Sequence, residues 1–312
     1  MKPIEKVAIV GSGLVGRGWT IVFARAGIDV GVYDSDVTIR AEAKDRIATS
    51  LADMKSAGLI DDVDGILARI HVVDELEGAV AEADYIQESV LERTDVKTQA
   101  SLAIDAVMRS DAVVGSSSSG IPASAFTQAC RNRGRFLIAH PVNPPHLVPV
   151  VELVPAPWTD AQVLPWLRAE MERTGQAPIV VDREIEGFIL NRLQGVLLME
   201  AWKLFEEGYA SAADIDLTIS KGLGMRWSFA GPFETIDLNA PGGVRDYAER
   251  LGPLYQSIAK ARTDPKVWSD ELIARVEAER RSILPETELR RRSEWRDRRL
   301  MALAAHQKDQ PR

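Results

Sequence analysis

Four side chains, far apart in the sequence, have the types needed to oxidise an alcohol. His140 stands in the run His140-Pro141-Val142-Asn143-Pro144-Pro145, and Glu152 lies in the apolar run that follows. Ser119 closes the run Ser116-Ser117-Ser118-Ser119, and Asn191 lies in a helical stretch further on. Taking hydride from an alcohol carbon needs a base for the hydroxyl proton. An imidazole suits, because its reference pKa of about 6.5 lies near working pH. A carboxylate on its other nitrogen would fix the tautomer and stabilise the imidazolium. Glu152 is a candidate, although spacing alone does not pair it with His140. Each feature also has a plainer reading. A His beside Pro is commonly a loop or core residue, and a serine run is commonly a polar turn. His71, His140, His146 and His306 show no ligand spacing with Cys130 or with carboxylates, so no metal is expected.

A hydride acceptor is indicated near the N-terminus. Gly11-Ser12-Gly13-Leu14-Val15-Gly16 follows the apolar run Val7-Ala8-Ile9-Val10 and opens a helical stretch that stops at Gly27. In that context G-x-G-x-x-G marks a dinucleotide site. Gly11 permits the tight turn, Gly13 lets backbone approach a pyrophosphate, and Gly16 allows helix and strand to pack closely. The Leu14 and Val15 amides then lie at a helix N-terminus, where negative charge is favoured. Asp34 ends the next strand, 18 residues past Gly16. That is close to the spacing of about 20 for the acid that holds the adenosine ribose. A carboxylate there repels a 2′-phosphate, so NAD is expected rather than NADP.

These groups need a frame. Short apolar runs at 7–10, 30–33, 70–73, 84–87, 111–114, 136–139, 150–154 and 178–181 alternate with helical segments. The alternation predicts a Rossmann-type, doubly wound α/β unit with a mostly parallel sheet and helices on both faces. In an open sheet of this kind ligands bind beyond the carboxyl ends of the strands, where Ser119 and His140 are expected. From Gly187 onward the pattern is helical, through Phe188, Leu193, Val196, Leu197, Ala201, Leu204 and Phe205. The expected division is therefore an NAD-binding domain at 1–185 and an all-helical domain at 186–312. The mixed charges of the last 40 residues read as a solvated helical face.

Composition excludes several classes. The 312 residues are 46% apolar and 27% charged, as in a globular protein. A net charge of −8 argues against a general nucleic-acid surface. No run of about 18 apolar residues would cross a bilayer, and the N-terminus lacks the features of a signal peptide. One cysteine rules out an internal disulfide. A cytoplasmic protein is expected.

Taken together, several segments resemble the 3-hydroxyacyl-CoA dehydrogenase superfamily, and more closely its L-gulonate 3-dehydrogenase (lambda-crystallin) branch. They are the glycine fingerprint, Gln87-Glu88-Ser89-Val90-Leu91-Glu92, 139–145 with 151–154, Gly187-Phe188-Ile189-Leu190-Asn191-Arg192-Leu193, and 222–227 with Gly231-Pro232-Phe233-Glu234. The resemblance implies roles at the matching positions. His140 would be the general acid/base and Glu152 its orienting carboxylate. Ser119 and Asn191 would hydrogen-bond the reacting oxygen. Glu92, Lys97, Ser117 and Asn143 would lie along the ribose and nicotinamide end of NAD. Ser117 departs from the pattern, since acyl-CoA enzymes commonly carry Asn there. The family also implies a homodimer built on the helical domain, as do apolar stripes after residue 187 that exceed the needs of one small domain.

The substrate is read from another departure. Acyl-CoA enzymes typically have Gly-Tyr-Pro-Met-Gly-Pro before Phe-Glu, where this chain has Gly224-Met225-Arg226-Trp227-Ser228-Phe229-Ala230-Gly231-Pro232. Arg226 offers a planar fork suited to a carboxylate, unless it pairs with an acid of the scaffold. A small 3-hydroxy acid such as L-gulonate fits better than a thioester. Carnitine, whose quaternary ammonium Trp227 or Phe229 could face, and a short-chain 3-hydroxyacyl-CoA are the alternatives within the class. A crystallin-like structural protein without turnover is the alternative outside it.

Overall fold

The structure is a computed structural model that describes residues 1–262, 267–308 and 310. Two compact units divide it: Met1–Arg192 with Ser293–Arg312, and Leu193–Arg292.

The first unit carries an eight-stranded sheet in the order β3-β2-β1-β4-β5-β6-β7-β8. Its strands are β1 (Lys6–Val10), β2 (Asp29–Tyr33), β3 (Ile70–Val72), β4 (Tyr85–Glu88), β5 (Val113–Ser116), β6 (Phe136–Pro141), β7 (Val150–Pro155) and β8 (Ala177–Val180). Neighbours pair in parallel except β6 and β7, which are antiparallel. The helices are α1 (Leu14–Arg25), α2 (Val37–Ser56), α3 (Val63–Ala68), α4 (Leu76–Val80), α5 (Thr94–Val107), α6 (Ser124–Thr127) and α7 (Val163–Arg173).

Successive strand residues point to opposite faces, and the apolar runs divide accordingly. Val7, Ile9, Val30, Val32, Leu137 and Leu153 enter one core with Trp19, Phe23, Ile47 and Leu51 from α1 and α2. Ala8, Val10, Ile86 and Val114 enter the other with Val80 and Ile104 from α4 and α5. Runs apolar at every position therefore mark strands covered on both faces. Helix α1 ends as expected at Gly27, whose φ of +85° suits glycine.

The second unit is helical: most of α8 (Leu190–Glu206), then α9 (Ala212–Thr218), α10 (Gly224–Trp227), α11 (Pro232–Leu238), α12 (Gly243–Ala261) and α13 (Asp270–Ile283). Trp202 and Trp268 stack with centroids 4.4 Å apart, and Arg262 bridges Glu200 and Glu207.

The last helix, α14 (Leu289–Lys308), differs from the expected division at 185/186. From Ser293 onward α14 packs with the first unit, where Met301 is 5% exposed within the main core and Leu300 packs beside it. A charged helix with one buried anchor has the composition of a solvated one. Among the described residues no helix is long and apolar enough to cross a membrane, and no three His, Cys, Asp or Glu side chains gather as metal ligands.

Candidate active site

The antiparallel step between β6 and β7 builds the centre of the site. Register places His140 directly opposite Glu152. His140 Nδ1 lies 2.7 Å from Glu152 Oε2, and both residues are buried. The pairing also extends β6 through His140, beyond the apolar run that announced the strand. Glu152 Oε1 accepts the backbone amides of Ile189 and Leu190 at 2.8 and 2.9 Å. Burial alone would raise the Glu152 pKa. The hydrogen bonds from His140, Leu190 and Ile189 outweigh it and hold the carboxyl below its ordinary range.

Two other groups that could compete as base or nucleophile are disabled by their surroundings. Burial, with Arg25 close by, pushes His146 down to about 4. Burial and the Asp105 carboxylate push the Cys130 thiol up to about 12, so it stays protonated.

The serine loop follows β5. Glu92 Oε1 accepts the Ser118 hydroxyl at 2.8 Å and the amides of Ser119 and Gly120 at 2.8 and 3.1 Å. Burial pushes Glu92 up, but Lys97 and these three donors hold it below its ordinary value. The Asn191 side-chain amide donates to the Ser119 carbonyl, bracing the loop from the start of α8. Residues 189 and 190 thus touch Glu152 while 191 touches Ser119, so one short segment ties the His140 pair to the serine loop.

The remaining expected cofactor residues divide. Lys97 is fully buried and its ammonium lies 3.1 Å from Glu88 and 3.5 Å from Glu92, so it acts on the loop through carboxylates. The Ser117 hydroxyl is engaged by Gln87 Nε2 and by Ser89 Oγ, both at 2.8 Å. Asn143 is exposed and precedes Pro144 through a cis peptide bond. Sequence reasoning assigned no role to Glu88, Gln87 or Phe188. A buried Glu88–Lys97 pair is hard to see in sequence, because charged residues are usually solvated.

The glycine turn fits a dinucleotide. Gly11 has a φ of +97°, and a Cβ there would meet Ser89 O at 2.6 Å. A Cβ on Gly16 would meet Gly11 O at 1.8 Å, whereas one on Gly13 would meet nothing within 4 Å. The first turn of α1 carries no acidic residue and no side-chain cap, which leaves its amides free of a competing anion. Asp34 takes the Ser12 amide at 2.6 Å on Oδ2 and the Asp36 amide at 2.9 Å on Oδ1. Its oxygens keep lone pairs for ribose hydroxyls and present no donor to a phosphate.

Comparison with known proteins agrees with this geometry. The model of the 3-hydroxyacyl-CoA dehydrogenase NAD-binding domain matches residues 6–185, and that of its C-terminal domain matches 187–282. The chain belongs to the 3-hydroxyacyl-CoA dehydrogenase family. This dehydrogenase is 37% identical to lambda-crystallin of Oryctolagus cuniculus over 304 residues, 96% of this chain and 95% of the relative. It is 34% identical to L-carnitine dehydrogenase of Streptomyces coelicolor over 255 residues, 81% of this chain and 80% of that one. Among solved structures it is similar to 5-formyl-3-hydroxy-2-methylpyridine 4-carboxylic acid 5-dehydrogenase, an NAD+ dependent dismutase. That match has a TM-score of 0.84 at 25% identity and covers 99% of this chain and 100% of the other. The dehydrogenase is accordingly an NAD-dependent oxidoreductase for 3-hydroxy substrates.

Titration with both dinucleotides checks the role of Asp34. NADP is expected to bind at least about tenfold more weakly than NAD, since a 2′-phosphate would be set against a carboxylate. Comparable affinities would remove Asp34 from the ribose site.

Proposed function

We propose that the dehydrogenase oxidises the 3-hydroxyl of a small hydroxy acid, with L-gulonate the first substrate to test. The observation that carries this reading is Arg226. It is exposed on α10 and makes no ion pair among the described residues, so no scaffold acid claims its fork. The near full-length match to lambda-crystallin supports the same branch. A second reading, L-carnitine, is favoured by the exposed aromatics beside it, Trp227 at 41% and Phe229 at 79%.

The glycine turn of residues 11–16 and Asp34 would hold NAD, which when bound would supply the acceptor for the C3 hydride. His140 Nε2, the ring nitrogen that Glu152 leaves free, takes the hydroxyl proton. Glu152 stabilises the imidazolium that results. The Ser119 hydroxyl, which has no partner among the described residues, donates to the substrate oxygen. Asn191 holds the Ser119 backbone, and Arg226 binds the carboxylate. NAD reduction with L-gulonate, L-carnitine and 3-hydroxybutyryl-CoA tests the reading. Clear preference for the thioester would overturn it, and no turnover with any would favour a structural protein.

Arg226→Met should lower kcat/KM for the acid by roughly 10- to 150-fold, the worth of a charge-assisted hydrogen bond. Arg226→Lys should also be impaired, because it keeps the charge but loses the fork. A carboxamide analogue should barely notice either change. Equal losses for acid and amide would make Arg226 a scaffold residue.

The helical unit is proposed to pair with a second copy. Among the described residues, α8, α9, α10 and α12 bury none, and Val196 and Phe233 are 74% and 78% exposed. Such faces suit an obligate, apolar interface. Sedimentation at micromolar concentration should give a dimer, and a lone 34.3 kDa species would refute it.

A further inference from the structure

We infer that the backbone amides of Ile189 and Leu190, at the entry to α8, are part of the machinery that orients His140, acting through Glu152, and that Phe188 is the positioning residue that delivers them. The inference rests on the reading of His140 as the base. The terminal torsion of a glutamate is soft, so its own rotamer preference does not aim a carboxylate. Here Oε1 is pinned by the Ile189 and Leu190 amides, at 2.8 and 2.9 Å. With one oxygen pinned, the other is directed at Nδ1 of His140, 2.7 Å away.

The amides face Glu152 because the chain turns sharply just before them. Gly187 has a φ of +74° and Phe188 of +49°. Glycine adopts the left-handed region freely, whereas a bulky side chain resists it. Phe188 persists there because its ring is fully buried among Phe126, Ile138, Val154 and Val181. The same ring lies 5.8 Å from the His140 imidazole, centroid to centroid. The ring therefore anchors the backbone, and the backbone aims the amides. Two donors on one oxygen favour the charged carboxylate, so Glu152 stays an anion while the imidazolium forms beside it.

Leu190 allows the amide to be tested apart from the side chain. It is the first residue of α8, a position where helices tolerate proline. Leu190→Pro removes the N–H, and Leu190→Ala removes the side chain but keeps the N–H. The proline variant should lose about tenfold or more in kcat/KM with NAD affinity unchanged. Its His140 imidazole, followed by NMR without cofactor and assigned through His140→Ala, should titrate at lower pH than the parent's. The pH–rate profile should move the same way, and Leu190→Ala, which keeps the N–H, should shift the midpoint less than Leu190→Pro does. A parent-like titration in Leu190→Pro would overturn the inference, as would an equal shift in Leu190→Ala. Phe188→Gly permits the same backbone angles without the anchor and should also lower the titration midpoint. A parent-like midpoint there would remove Phe188 from the assignment. If His140→Ala kept its turnover, the reading of His140 would fall first. If His140→Ala were inactive while Leu190→Pro titrated as the parent, only this inference would fall.

Discussion

Replacing His140 by alanine should lower kcat by about 10²–10⁴-fold while NAD affinity stays near the parent's. The size follows from the reaction. Without a base, the alcohol proton must leave to water as hydride departs, and no neighbouring group takes over. His146, six residues on, is half-buried, with its pKa pushed down to about 4. The turn expected to bind dinucleotide is built from residues 11–16 and Asp34, none of which bonds to His140 among the described contacts. Binding and turnover should therefore separate cleanly. Near-parent turnover in His140→Ala would remove the imidazole from the mechanism.

Glu152→Gln should cost about 10²–10⁴-fold in kcat, because a primary amide cannot satisfy both sides of the site. Its oxygen could accept the Ile189 and Leu190 amides, as Oε1 does now. Its NH₂ would then face His140 Nδ1 and hold that nitrogen as an acceptor. The ring proton would move to Nε2, the atom proposed to receive the substrate's proton. Turned the other way, the NH₂ would face two N–H donors. The same substitution has a signature in acid. Glu152 is held below its ordinary pKa, so it stabilises the fold at neutral pH. That contribution is complete above the unfolded value of about 4.3 and is lost as pH falls through the lower folded value. Parent and variant should differ most in melting temperature near neutrality and converge as pH falls through the lowered folded value. A stability gap that stayed constant into acid would show that the carboxylate is not held as described.

The eight strands were legible because a strand covered on both faces is apolar at every position. The glycine turn was legible because backbone requirements act on residue type directly, as at Gly11 and Gly16. The His140–Glu152 pair was legible only through the family resemblance and not from spacing, since its partners are set by the antiparallel register of β6 and β7, and register has no local sequence signature. The Ile189 and Leu190 amides were invisible for a different reason: they are backbone groups, and only the Gly187-Phe188 turn hints at them. Lys97 carried the charge of a surface residue into a site with 0% exposure, because Glu88 neutralises it.

Helix α14 has a consequence for how the chain folds. Its Met301 completes the core that Ile4 and Trp19 begin, so the first unit is interrupted in sequence by about a hundred residues. During synthesis that core stays open until α14 has emerged from the ribosome. Until then its apolar lining depends on contacts made by the rest of the sheet and helices. A stop codon after residue 282 would spare both segments that match the family's domain models. It would still strip the nucleotide-binding unit of a buried anchor, a loss of about 2–5 kcal/mol for a side chain of this size. Damage to α14 would then be read first as a defect in holding NAD.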